Sequence, residues 1–288
     1  MIHKVLITIF SLIILVVILF SVKSAGEYYF TSQLERPHLP AHQMWKPSGI
    51  YGHGLGILGT SLVLGLLVYS LRKRWKWLRK FGSLKTWLNY HIFMGITGPI
   101  LIILHTTFKF NGLVSVSFWS MMAVMISGFI GKYIYVQIPR AKDGVELSAK
   151  EMEKKIGSLR DSLIDRYKFD GTHINLLLEN DHNQKTTTSR FKTFFMMPVQ
   201  NIILRIRIGQ RIKKSGLLNK NIPKNEIKQI KQILLQHIIL TRRIGSLELF
   251  HKLFHYWHVI HKPFAYIMII ILFLHVALTL FMGFTWIF

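Results

Sequence analysis

The chain has 288 residues, 50% of them hydrophobic, with 37 Lys+Arg against 13 Asp+Glu and no cysteine. It is too apolar for an ordinary soluble domain of its length, and the lack of thiols excludes Cys-ligated iron–sulfur clusters, C-x-x-C-H haem attachment, thiolate zinc sites and disulfides. A formal charge of +24 fits either nucleic acid binding or the cytoplasmic face of a membrane protein; long uncharged runs select the second, with anionic membrane lipid and no nucleic acid as the partner of the basic surface.

Five uncharged runs occur in chain order, at 5–22, 47–71, 86–108, 110–131 and 263–288. A spanning helix needs about 20 apolar residues, so each run is long enough once tilt and ragged ends are allowed. The first reads as an uncleaved anchor over 1–22. A signal peptide is the competing reading, but "SVKSAGEYY" is a poor small-x-small cleavage site. Lys and Arg then orient the set. The link "RKRWKWLRKFGSLK" holds seven of them and no acid, and 137–260 holds 23 against 11 acids. The link 23–46 holds only three against two. The positive-inside rule places the N-terminus in the cytoplasm, the basic segments inside and the C-terminus outside, in a multi-pass protein of the cell (inner) membrane.

The region 138–246 is polar and basic, a soluble helical insert between 23–137 and 247–288. In "LSAKEMEKKIGSLRDSLIDRYK", Ser148 and Glu151 form a capping-box pattern ahead of an amphipathic helix. "DGTHINLLLENDHNQKTTTSR" reads as a loop. "PKNEIKQIKQILLQHIILTRRIG" carries a helix start at Pro223 and a stop at Gly245. There is no phosphate loop, dinucleotide fingerprint or repeat.

Histidine carries the chemistry. His91 and His105 stand 14 apart on the third run, and His261 and His275 stand 14 apart at the last. Fourteen residues come to four turns less about 40°, and span about 21 Å. Each pair therefore shares a helix face, with one imidazole toward each side of the hydrocarbon. Both helices run from inside to outside, so His91 faces His261 and His105 faces His275. Two facing pairs stacked across a membrane suit two haem b groups, each with both axial positions taken by imidazole. An intramembrane histidine is costly and by default functional. Packing or hydrogen bonding is the blander reading for any one of them alone.

Gly95, Gly98 and Gly128, with Gly131 and the run "GIYGHGLGILG", supply small residues where a flat macrocycle would press on a helix backbone. Close helix packing in lipid explains them equally well. His258 competes with His261 for the inner position, though it is turned about 100° away from the His275 face. His53 is placed to ligate or to hydrogen-bond a propionate. Lys85 and Lys262 inside, and Lys109 outside, are placed to meet propionates, or lipid headgroups. His38 and His42 read as loop residues; His3, His173, His182 and His237 carry no argument.

The doubled H-x13-H resembles the di-haem b-type membrane cytochromes: cytochrome b of the quinol-oxidising complexes and the cytochrome b561-like and ferric-reductase-like membrane domains. The resemblance covers 47–137 and 247–288. It implies an all-α integral membrane bundle of about five transmembrane helices, four of them holding two haems with His91, His105, His261 and His275 as iron ligands. It also implies transmembrane electron transfer as the subunit of an oxidoreductase complex, with a c-type cytochrome, an iron–sulfur protein or a quinone as exchange partner. The basic insert lies outside the common core. No flavin or nicotinamide domain follows, and the Pro-Glu-Trp-Tyr quinol motif is missing. Two other readings remain. One is a non-haem di-metal oxygenase or desaturase built on "HKLFHYWHVIH" (His251, His255, His258 and His261); the other is a cofactor-free membrane anchor.

Overall fold

The computed structural model describes residues 2–140, 146–167, 190–214 and 223–284. The expected loop at 170–190 lies almost wholly outside them, as do His173, His182 and the last four residues. The chain divides into two compact units, 1–135 with 142–144 and 252–288, and 136–141 with 145–251. Helices dominate both. Among the described residues the only β pairing is an isolated bridge between Arg140 and Glu146.

The first unit contains α1 (Ile2–Phe30), α2 (His42–Trp45), α3 (Ile50–Arg74), α4 (Leu84–His105) and α5 (Leu113–Gln137), the last up to Tyr135. It also takes most of α9 (Leu247–Phe281), which is helical through Pro263. Five helices are long and apolar enough to cross a membrane: α1, α2 with α3, α4, α5 and α9. Their outward residues, such as Leu12, Val16 and Leu19 on α1 and Ile270, Phe273 and Leu278 on α9, are large, apolar and exposed. That is the surface of a multi-pass membrane protein, where lipid replaces water around the bundle.

Ring and hydrogen-bond contacts fix how the helices run. α1 is parallel to α4, with His3 against Tyr90 and Phe10 against Phe93 at one end and Tyr29 against Phe108 at the other. α3 is antiparallel to α4 and lies closest to it. A Cβ on Gly59 would sit 2.7 Å from Ile102 Cγ1 and 3.2 Å from the Gly98 carbonyl oxygen, and one on Gly98 would sit 3.0 Å from Val63 Cγ2. The backbones meet there because neither glycine has a side chain, the close-packing route used when no hydrophobic drive separates helix from lipid. α5 is antiparallel to α9: the Ser117 hydroxyl donates to the Met268 carbonyl at 3.0 Å, and Ser127 meets His261 further along. At mid-height Val63, Ile102, Ile103, Phe118, Met121, Met268 and Leu272 form one apolar cluster drawn from α3, α4, α5 and α9.

One end of this unit is locked by a buried cation. The Arg36 guanidinium donates to the carbonyls of Thr31 at 2.9 Å, Tyr29 at 2.8 Å and Thr107, and its plane lies 5.5 Å from the Tyr28 ring centroid. Thr107 and Phe108, just past the end of α4, have φ of 50° and 61°. This is left-handed backbone that non-glycine residues adopt rarely, and the arginine contact holds it.

The second unit packs α6 (Ala149–Tyr167), α7 (Arg190–Lys214) and α8 (Lys224–Gly245) around Leu163, Leu204, Ile208, Ile212, Ile230, Leu234 and Ile238. The capping box is present. Glu151 accepts from the Ser148 backbone N–H at 2.8 Å while its own N–H donates to the Ser148 hydroxyl at 3.3 Å. The Ser148 hydroxyl also donates to the Glu151 carboxylate at 2.7 Å, and this bond, with the one from the Ser148 N–H, holds the carboxyl below its ordinary range. α8 starts after Pro223 and ends at Gly245, as its sequence requires.

The glycine seam predicts opposite outcomes for two glycine substitutions. Gly59→Ile is expected to cost about 1–3 kcal/mol by overpacking, read as a lower Tm in detergent. Gly157→Ala, on α6 with nothing within 4 Å of the added carbon, is expected to be neutral or stabilising by up to ~1 kcal/mol.

Candidate functional site

Five histidines of the first unit gather at two levels. At one end, His91 on α4 packs its ring 4.9 Å from that of Tyr69 on α3. It lies within electrostatic range of His261 on α9 and of Lys73. At the other end, His105 on α4 is in electrostatic range of His275 on α9 and His53 on α3, and His275 is in range of His53 too. α4 and α9 therefore run the same way, and the two 14-residue pairs come together as His91 with His261 and His105 with His275. The apolar cluster around Met268, midway between His261 and His275 in sequence, separates the two levels.

Hydrogen bonds decide which ring nitrogen is left over. His105 Nδ1 lies 2.8 Å from the carbonyl oxygen of Gly52. A carbonyl only accepts, so Nδ1 carries the proton and Nε2 keeps its lone pair. Gly56, one turn further along α3, makes this contact possible: a Cβ there would sit 2.7 Å from His105 Nδ1. At the other level the Ser127 hydroxyl lies 2.7 Å from His261 Nδ1 and 2.9 Å from the Val124 carbonyl. With its single proton given to that carbonyl, the hydroxyl accepts from His261 Nδ1–H and leaves Nε2 as the free donor atom. Trp257 braces the same site. Its indole N–H donates to the Ser127 carbonyl at 2.7 Å, and its ring lies 4.7 Å from that of His261. Gly131 leaves room for that indole, which a Cβ would strike. An imidazole whose Nδ1–H is held by a carbonyl or hydroxyl and whose Nε2 is free is the arrangement metal-ligating histidines use.

His258 meets the same criterion, and the remaining histidines are placed differently. His258 Nδ1–H donates to the Phe254 carbonyl one turn back at 2.9 Å, and the ring lies edge-on to Phe254 and Trp257. His251, in the second unit, pairs with Glu146. His255 is exposed beside Tyr256. Among the described residues no three His, Asp or Glu side chains converge as ligands of one metal ion. The glycines divide as well. Gly98 faces α3 at the seam and a Cβ on Gly95 would sit 3.7 Å from Leu66 Cδ2, whereas one on Gly128 would meet nothing within 4 Å.

The bundle's charge is one-sided. Between Arg36 and Lys142 the sequence holds no acidic residue. Lys85 and Lys132 lie in electrostatic range of one another, and Lys73 and Lys262 are in range of His258. Comparison with family models, with curated proteins and with solved structures finds no match.

Ser127 was invisible as a site residue in the sequence, and Gly52 and Gly56 were read there only as members of a small-residue run; a direct measurement checks all three. In micelles, nitrogen NMR of isotope-labelled histidine is expected to report the Nδ1–H tautomer for His261. Ser127→Ala should convert that signal to a mixture of tautomers, and Gly56→Val should do the same for His105 by displacing its ring. Unchanged spectra in both variants would mean that these contacts do not set the tautomers.

Proposed function

We propose that this chain is the membrane subunit of an electron-transfer complex and holds two b-type haems, one between His91 and His261 and one between His105 and His275. The observation that carries the reading is the pair of two-histidine levels on parallel helices, with the Nδ1 atoms of His105 and His261 tied to Gly52 and Ser127. The donor set fits the group: neutral imidazole Nε2 is a good axial ligand. Of Gly95, Gly98 and Gly128, only Gly128 has nothing within 4 Å of an added Cβ, and the lysines at the His91 level supply cations that haem carboxylates would meet. A haem bound by two imidazoles supplies one-electron redox chemistry with no open position for a substrate.

The rest is the work of the chain itself. Gly52 and Ser127 hold protons at Nδ1 and orient two of the rings. The cluster of Val63, Phe118, Met121, Met268 and Leu272 excludes water between the levels. The basic links place the His91 level at the cytoplasmic side. The chain would exchange electrons with a quinone, a c-type cytochrome or an iron–sulfur protein.

After haem-replete expression, a reduced-minus-oxidised spectrum is expected to show b-type bands with two haems per chain. His105→Ala and His261→Ala should each remove one haem and together remove both, while His258→Ala should leave the count at two. A colourless wild-type protein, or a full haem count in His105→Ala, would sink the reading.

A further inference from the structure

α7 carries two apolar faces, and only one is used within its own unit. Leu204, Ile208 and Ile212 are buried in the shared core with α6 and α8. Met196, Val199, Ile202, Ile203 and Ile206 are exposed, Ile202 by 60% and Ile206 by 57%. At about 100° per residue the two sets are centred about 180° apart. Single exposed apolar residues are ordinary, but a continuous stripe along a helix marks a contact surface. The arginines lie between the faces, Arg205 on one flank and Arg207 and Arg211 on the other. From Arg190 to Lys214 the sequence has seven basic residues and no acidic one.

We propose that α7 lies in the headgroup layer of an anionic phospholipid bilayer, with Met196, Val199, Ile202, Ile203 and Ile206 turned toward the acyl chains and Arg205, Arg207 and Arg211 at the level of the phosphates. An apolar stripe flanked by cations is the design of helices that lie in a membrane interface. Arginine suits the flanks, because its stem covers apolar surface while its guanidinium pairs with phosphate. Nucleic acid would satisfy the arginines and leave the isoleucines in water. A lipid surface satisfies both, and it is always at hand, because the chain enters this unit from α5 and leaves it into α9, two of the membrane-length helices. The inference does not depend on the haem reading.

The chain has no cysteine, so a single introduced one can be labelled without ambiguity. The intact protein would be prepared as Ile202→Cys, Ile206→Cys and Glu153→Cys, the last an exposed site on α6. Each is nitroxide-labelled and placed in nanodiscs of phosphatidylcholine with or without phosphatidylglycerol. With phosphatidylglycerol, the labels at positions 202 and 206 are expected to relax faster with oxygen than with a water-soluble nickel chelate. The label at position 153 should show the reverse. Omitting phosphatidylglycerol, or adding Arg205→Gln with Arg207→Gln, should shift positions 202 and 206 toward the nickel-accessible pattern. Nickel access at both positions in both lipids would overturn the proposal. So would shielding from both reagents, which means a protein surface covers the stripe, and so would equal depth with and without the anionic lipid.

Discussion

The close approach of α3 to α4 is the constraint on which the candidate site depends. Backbone carbonyls in a helix are normally spent on the helix itself, and a neighbouring side chain reaches one only where nothing stands between. Here Gly56, Gly59 and Gly98 remove the side chains that would intervene. The same absence of atoms lets Gly59 and Gly98 bring two backbones together at mid-height and lets His105 reach the Gly52 carbonyl at one end. Helix packing and imidazole orientation are thus one feature. A substitution in the seam is felt at the histidine, whichever group the histidine holds.

The other partner pair, α5 with α9, solves the same problem with different chemistry. There a hydroxyl does the work. Ser117 and Ser127 each bridge to α9, and Trp257 fills the notch above Gly131. In a low-dielectric setting each such bond is specific, because its alternative is an unpaired polar group. The two histidine levels are therefore held by unlike means, a backbone carbonyl at His105 and a side-chain hydroxyl at His261.

Much of the architecture was legible in the sequence because apolar length and helix punctuation are local signals. The five membrane-length runs, the Ser148–Glu151 capping box and the Pro223–Gly245 helix all lie where their residues say. The 14-residue intervals were legible as shared helix faces, and His91 lies in electrostatic range of His261 and His105 of His275. What the sequence hid has a common cause. Ser127 and Gly52 matter only through a partner on another helix, which no spacing rule reveals. The same holds for Arg36, whose buried role rests on carbonyls at Tyr29, Thr31 and Thr107. α7 escaped notice because apolar residues on opposite faces blur the single stripe by which an amphipathic helix is recognised. The last helix begins at Leu247, where the expected 247–288 segment starts, and runs on through Pro263, which opens the uncharged run and not the helix.

The acid-free stretch from Arg36 to Lys142 gives the bundle a direction. Lys73, Lys85, Lys132 and Lys262 belong to the His91 end, while the opposite end has Lys46, Lys109 and one guanidinium already surrounded by carbonyls. In a medium that screens poorly, unneutralised cations raise the local potential over many ångströms. An electron placed at the two histidine levels would therefore not see equivalent stations. The lysine-rich end is downhill for negative charge, so the fold biases the direction in which a carrier in this bundle would empty and fill.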